Sequence, residues 1–178
     1  MKNIISIFAI CTTSISFSQV ESKVDYDAFE KLVAEVKPHR AKRLIGIEEF
    51  NKMTQKGNVV ILDTRSKEMY DAKHIKGAIH LNFSNFTQKN LEALFTDKST
   101  TILIYCNNNF DSDESYFPTK MYIPPTETTK EELTLALNIP TYINLYGYGY
   151  KNVYELSELV SIWDERVQLE GTQVMESK

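Results

Sequence analysis

The sequence predicts a single α/β domain with a mostly parallel central sheet and helices on both of its faces. Two runs carry this expectation: Val59-Val60-Ile61-Leu62 and Thr101-Ile102-Leu103-Ile104-Tyr105 are apolar without interruption. A strand that lacks polar alternation needs cover on both faces, which is the condition of a parallel strand between helix layers. The segments around these runs have helical spacing and alternate with further short strands, as an α/β sheet requires. The length of 178 residues supports one core and hardly two, since a chain of this size buries about 70% of its unfolded surface.

The elements follow in order. Residues 1–18 carry one lysine, an apolar run from Ile4 to Ile10 and the small residues Ser16 and Ser18, and are expected to be a cleavable signal peptide, with a periplasmic or secreted location for the mature chain. The apolar run is too short for a membrane span, which needs about 20 residues. Residues 19–42 form an N-terminal extension. In it, Phe29, Leu32, Val33 and Val36 make one stripe of a helix that Pro38 is expected to end. Residues 43–168 form the domain proper. After a short extended piece at Ile45-Gly46, a helix over Ile47–Met53 turns Ile47, Phe50 and Met53 inward, and the first long strand follows at Val59–Leu62. A helix over Ser66–Ala72, a strand over Ala78–Leu81, a helix over Asn90–Phe95 and the second long strand come next. From 107 to 129 the rhythm breaks into Asn, Asp, Ser and Pro without periodicity, a long insert of the length that in compact domains carries function or disorder. Pro140 suits the first turn of a helix through Tyr142, Ile143, Leu145 and Tyr146, ended by Gly147 and Gly149. A last strand is expected at Val153–Leu156, a closing helix over Leu159–Val167 with Ile162 and Trp163, and a C-terminal tail over 169–178.

A net charge of −4 argues against a nucleic-acid partner, because phosphate binding needs a concentrated basic surface. The three histidines, His39, His74 and His80, have neither metal-ligand spacing nor a protease signature and read as packing or surface residues. No metal and no cofactor are expected. If the signal is cleaved, Cys11 leaves with it and Cys106 is the one remaining thiol, so no internal disulfide can form and the thiol is either buried and inert or kept for its reactivity. Cys106 follows a core strand directly. In an open α/β sheet, sites gather at the carboxyl ends of the strands, where loop and helix amides converge. Such amides are expected to favour the Cys106 thiolate.

Several further residues then point one way. Asp63-Thr64-Arg65 closes an apolar strand; Tyr70 and His74-Ile75-Lys76-Gly77-Ala78-Ile79-His80-Leu81 follow; a strand ends in Cys106; Gly149-Tyr150-Lys151-Asn152-Val153-Tyr154 and Trp163 complete the series. In order and spacing, from about Ile45 to Trp163, the chain resembles a rhodanese (sulfurtransferase) domain. The resemblance implies a small α/β domain whose cysteine opens the active loop and, in active members, accepts a sulfane sulfur as a persulfide before passing it to a thiol or cyanide. Asp63 and Arg65 are expected to pair with each other or to bond loop amides, supporting the walls of the crevice. Gly77 is expected to take a backbone geometry that other residues resist.

The loop departs from the family's pattern. Active members carry Cys-Arg-x-Gly-x-Arg, whereas the chain has Cys106-Asn107-Asn108-Asn109-Phe110-Asp111 and then Ser112. Both arginines are absent. Asp111 is expected to raise the thiol's pKa and repel thiosulfate. Ser112, standing where the related phosphatases and arsenate reductases need an arginine, argues against phosphoryl chemistry. Two functions from different classes follow. One is an exported sulfurtransferase using Cys106 on a non-thiosulfate or protein-borne sulfur donor, with a protein thiol as acceptor. The other is an inactive binding module that presents residues 107–129, together with Tyr142, Tyr146, Tyr148 and Tyr150, to a protein partner.

Overall fold

A computed structural model describes residues 24–122 and 133–174 of the chain. The expected signal peptide and Cys11 lie outside the described residues. Five strands form the central sheet: β1 (Leu44–Ile45), β2 (Val59–Asp63), β4 (Ile79–His80), β5 (Thr101–Tyr105) and β9 (Val153–Leu156). Their order is β1-β9-β5-β2-β4 and every neighbouring pair is parallel. β5 lies at the centre, in register with β2 from Val59 opposite Thr101 to Asp63 opposite Tyr105.

The two apolar runs divide their side chains between the faces as a two-residue period demands. Leu62, Ile102 and Ile104 face one layer with Val36 of helix α1 (Tyr26–Ala41), Leu91 of α4 (Gln88–Leu94) and Tyr142 and Leu145 of α5 (Asn138–Gly147). Ile61, Leu103 and Tyr105 face the other, with Ile47, Phe50 and Met53 of α2 (Ile47–Thr54) and Tyr70 of α3 (Lys67–Ala72). Both faces are covered, as expected. Burying each such Leu, Ile or Phe contributes on the order of 1.5–3 kcal/mol. Side-chain caps start three of the helices: Asp25 accepts from the Ala28 N–H at 2.9 Å, Ser66 from Met69 at 3.3 Å and Thr87 from Asn90 at 3.2 Å. Gly77 has φ +79° and Gly149 φ +93°, the left-handed region that side chains resist.

Three expectations are corrected. Pro38 does not end α1, which runs on to Ala41. Proline forfeits one backbone bond there, and the last turn is held from outside: His39 Nδ1 lies 3.0 Å from the Tyr142 hydroxyl, and Arg40 pairs with Glu155 of β9. No helix spans Leu159–Val167. Val160–Ser161 is a strand, β10, parallel to β6 (Phe110–Asp111). Beyond it the Asp164 carboxylate accepts from the Arg166 backbone and guanidinium, local bonding that competes with a helix, and Trp163 is exposed. Nor do the tyrosines form a recognition face. Tyr142, Tyr146 and Tyr150 are buried in the core, and Tyr148 packs against it.

The insert is built onto the domain. Phe110 and Phe117 are fully buried, with ring centroids 4.6 Å apart, and Asp113 receives the Lys73 ammonium at 2.6 Å in a largely buried pair. β7 (Met121–Tyr122) pairs antiparallel with β8 (Leu133–Thr134). Leu169–Glu170 forms β11, antiparallel to β3 (His74–Ile75).

Candidate active site

All the strands of the central sheet end on the same side, and a cavity of about 420 Å³ opens there. Thr64, Arg65 and Ser66 follow β2; Asn82, Phe83 and Ser84 follow β4; Cys106, Asn107 and Asn108 follow β5. Pro118 and Lys120 of the insert, Met69 and Leu137 complete the wall. Neither aspartate nor glutamate lines it among the described residues.

Cys106 enters the cavity from the end of β5 and is 1% exposed. The next three residues make a single 3-10 turn, and the main chain there is held by one side chain. Asn109 Oδ1 accepts the Cys106 N–H at 2.9 Å and the Asn138 amide at 3.1 Å, while its own Nδ2 donates to the Leu156 carbonyl at 2.7 Å. Asn109 therefore ties the end of β5, the end of β9 and the start of α5 together. Burial pushes the Cys106 thiol up; hydrogen bonds from the backbone N–H groups of Asn108, Asn138 and Leu137 oppose that rise, and the buried Glu155 carboxylate adds to it. The expected cradle of amides and a helix N-terminus is thus present, but burial outweighs it and holds the thiol above its ordinary range, where the sequence led one to expect it lowered. Asn138 Oδ1 is buried without a hydrogen-bond partner among the described residues.

The expected loop of 107–112 divides. Asn107 and Asn108 line the cavity and Asn109 supports it. Phe110, Asp111 and Ser112 do not line it, because the chain leaves the turn as β6 to pair with β10: Phe110 points into the core, whereas Asp111 and Ser112 are exposed and bond to each other at 2.7 Å. Asp111 is therefore not the acid that acts on the thiol. That role belongs to Glu155, half of an ion pair with Arg40.

Asp63 and Arg65 are mutually bonded and buried. Asp63 accepts from the Arg65 backbone N–H at 2.9 Å and from Arg65 Nη2 at 2.7 Å, and also takes the Tyr105 hydroxyl. The remaining Arg65 donors reach the Tyr116 carbonyl at 3.1 Å, the Lys73 carbonyl at 2.6 Å and Asn107 Oδ1 at 3.4 Å. Phe117 lies 4.5 Å from the guanidinium carbon. Arg65 therefore spends its charge and its donors on the wall and the insert. Lys120, Asn82–Ser84, Met69 and Leu137 escaped the sequence reading. The start of α5 was legible from Pro140, but nothing in the sequence places Lys120, fourteen residues beyond the cysteine, beside it.

A family model described as Rhodanese-like domain matches residues 46–165. The chain belongs to that family. Among curated relatives, a thiosulfate sulfurtransferase, GlpE, of Coxiella burnetii is 30% identical over 60 residues, 34% of this chain and 53% of the relative. An uncharacterized protein of Buchnera aphidicola is 34% identical over 65 residues, 36% of this chain and 44% of the relative. The chain spans about half the length of these relatives. Among solved structures, the rhodanese-like domain of the Anabaena Alr3790 protein aligns with a TM-score of 0.48 at 15% identity, covering 76% of this chain and 83% of that one. A polysulfide-sulfur transferase of Wolinella succinogenes aligns with a TM-score of 0.44 at 16% identity, covering 85% and 94%.

Proposed function

We propose that the chain is a sulfurtransferase in which Cys106 is the persulfide-forming nucleophile, acting on a non-thiosulfate or protein-borne donor and passing the sulfur to a thiol. One observation carries the reading: the thiol sits in a cavity at the carboxyl end of the central strand, with the amides of Asn108, Leu137 and Asn138 directed at it. Membership in the rhodanese-like family supports it.

The step is a displacement at sulfur. Cys106 loses its proton and attacks the outer sulfur of a persulfide R–S–SH. A new S–S bond forms at Cys106, the donor's S–S bond breaks, and its electron pair leaves on R–S⁻, which takes up the proton. Nothing is oxidised or reduced overall. In the second half an acceptor thiolate repeats the displacement on Cys106–S–SH and regenerates the thiol. The three amides are available to the negative charge that grows on Cys106 Sγ when it is the leaving group. No arginine with free donors lines the cavity among the described residues, which weakens the site for thiosulfate.

Alkylation of the protein across pH, followed by sulfur-transfer assays of wild type and Cys106→Ser with a persulfide donor, tests this. Because the thiol is pushed up, alkylation and transfer are expected to keep rising with pH beyond about 8.5, the ordinary thiol value, and Cys106→Ser is expected to abolish transfer. Transfer that survives Cys106→Ser sinks the proposal. A second reading, a non-catalytic module presenting the insert to a protein, is favoured by the exposure of Met121, Tyr122 and Leu135 beside β7 and β8; wild type without any transfer would leave it standing. Export rests on residues 1–18 alone, and sequencing the N-terminus of secreted or periplasmic material is expected to find Gln19 first.

A further inference from the structure

Among the described residues, the insert carries the one uncommitted positive charge on the cavity. Lys120 lines it, is exposed, and has no ion-pair or hydrogen-bond partner for its ammonium among the described residues. Arg65, the other cation in the wall, is buried and neutralised by Asp63. The position of Lys120 is enforced by its neighbour in the active turn: the Lys120 N–H donates to Asn108 Oδ1 at 3.0 Å, and the Lys120 carbonyl accepts from Asn108 Nδ2 at 3.1 Å. The same residue, Asn108, lends a backbone amide to the thiol. The lysine is thus fixed at its backbone to the turn that carries Cys106.

The rest of the wall describes the ligand. Met69, Phe83, Pro118 and Leu137 give it apolar surface, and its volume of about 420 Å³ falls in the range of about 300–1,000 Å³ usual for organic ligands, far larger than a small inorganic dianion needs. A single exposed ammonium, with the only other lining cation among the described residues already paired to Asp63, suits one carboxylate better than a dianion that wants several charged donors.

We propose that Lys120 selects the sulfur donor, and that this donor is an organic persulfide bearing a carboxylate: its carbon skeleton lies on the apolar wall, its sulfane sulfur meets Cys106, and its carboxylate pairs with Lys120. The proposal rests on the sulfurtransferase reading above and adds the donor's chemical class to it. The reaction is the balanced exchange already written, R–S–SH plus the Cys106 thiol giving Cys106–S–SH plus R–SH, with R now carrying the anion.

Two donors of similar size separate charge from shape: the persulfides of 3-mercaptopropionate and of 2-mercaptoethanol. Wild type is expected to prefer the carboxylate in kcat/KM, and Lys120→Ala to lower that preference about three- to tenfold, the range of an exposed charge-assisted contact. Lys120→Arg is expected to keep the preference and Lys120→Glu to reverse it. Added salt is expected to erode it in wild type only. An unchanged preference in Lys120→Ala overturns the proposal while leaving Cys106 chemistry intact. Should no donor react at all, binding of the unreactive 3-(methylthio)propionate to Cys106→Ser, followed by calorimetry, still decides: equal affinity with and without Lys120→Ala, or no affinity in either, overturns it, and a three- to tenfold loss supports it.

Discussion

Asn109 does for this site what no charged residue does. Its amide is buried and satisfies the Cys106 N–H, the Asn138 side chain and the Leu156 carbonyl at once, so the turn that carries the thiol is held by neutral hydrogen bonds. Truncating it strands two buried donors and a buried acceptor, each costing up to about 1–3 kcal/mol where no water or shift of the chain relieves it. Asn109→Ala is expected to lower unfolding stability by roughly 2–4 kcal/mol and to change the alkylation rate of Cys106. Denaturant titration measures the first, and a loss below about 0.5 kcal/mol would show that the turn is held by something else. Asp63 and Arg65 act differently: their charges cancel inside the wall, and what they contribute is the placement of Tyr105, Tyr116 and Phe117.

Helix α1 shows how one element outside the family-matched residues 46–165 is joined to the site. Its apolar stripe is weakly used, since Val36 is buried while Phe29 and Val33 remain exposed. The fastening is electrostatic: Arg40 pairs with Glu155, whose side chain is 4% exposed. Removing one partner of a buried pair leaves an uncompensated charge at a cost of about 3–5 kcal/mol. Arg40→Ala is expected to destabilise by about 3 kcal/mol, less where water reaches the freed carboxylate. Glu155 also pushes the Cys106 thiol up, so the variant is expected to alkylate more slowly at a given pH as well. Thermal melts and alkylation rates of the same preparation check both, and a faster Cys106 would contradict the charge assignment.

The whole molecule is stabilised by groups that are buried neutral. Burial pushes up the hydroxyls of Tyr105 and Tyr142 and the thiol of Cys106. In each case the folded protein holds its proton to higher pH than the unfolded chain does. The contribution of these groups is therefore intact below the unfolded values, about 8.5 for the thiol and about 10 for the tyrosines. It is lost as pH rises from there through the folded-state values. Melting temperature is expected to fall steadily from pH 8.5 to 11, and a flat profile over that window would show that these groups ionise without unfolding stress.

At this scale the division between chain and fold is clear in particular residues. The long strands are legible because unbroken apolar runs such as Val59–Leu62 can be satisfied only between two layers, and Cys106 is legible because it follows one of them. Ile47, Phe50 and Met53 were legible because a helix repeats every 3.6 residues. Segment 159–167 has helical spacing yet forms no helix, because Ser161 and Asp164 bond locally and Val160 finds Phe110 of a distant strand, a pairing that no local period encodes. Counting along the loop puts Asp111 at the thiol, yet the chain turns away after Asn109. By itself the sequence determined the layers, the central strand and the cysteine at its end, since those depend on local period and on the apolar need for cover. Only the tertiary structure decided what surrounds Cys106: Glu155 from β9, Leu137 and Asn138 from the far side of the insert, and Lys120 from within it. These reach the site of the thiol through parallel pairing and loop anchoring across 14 to 49 residues of chain, separations whose closure entropy grows only slowly with length, so side-chain fit rather than sequence distance selects them.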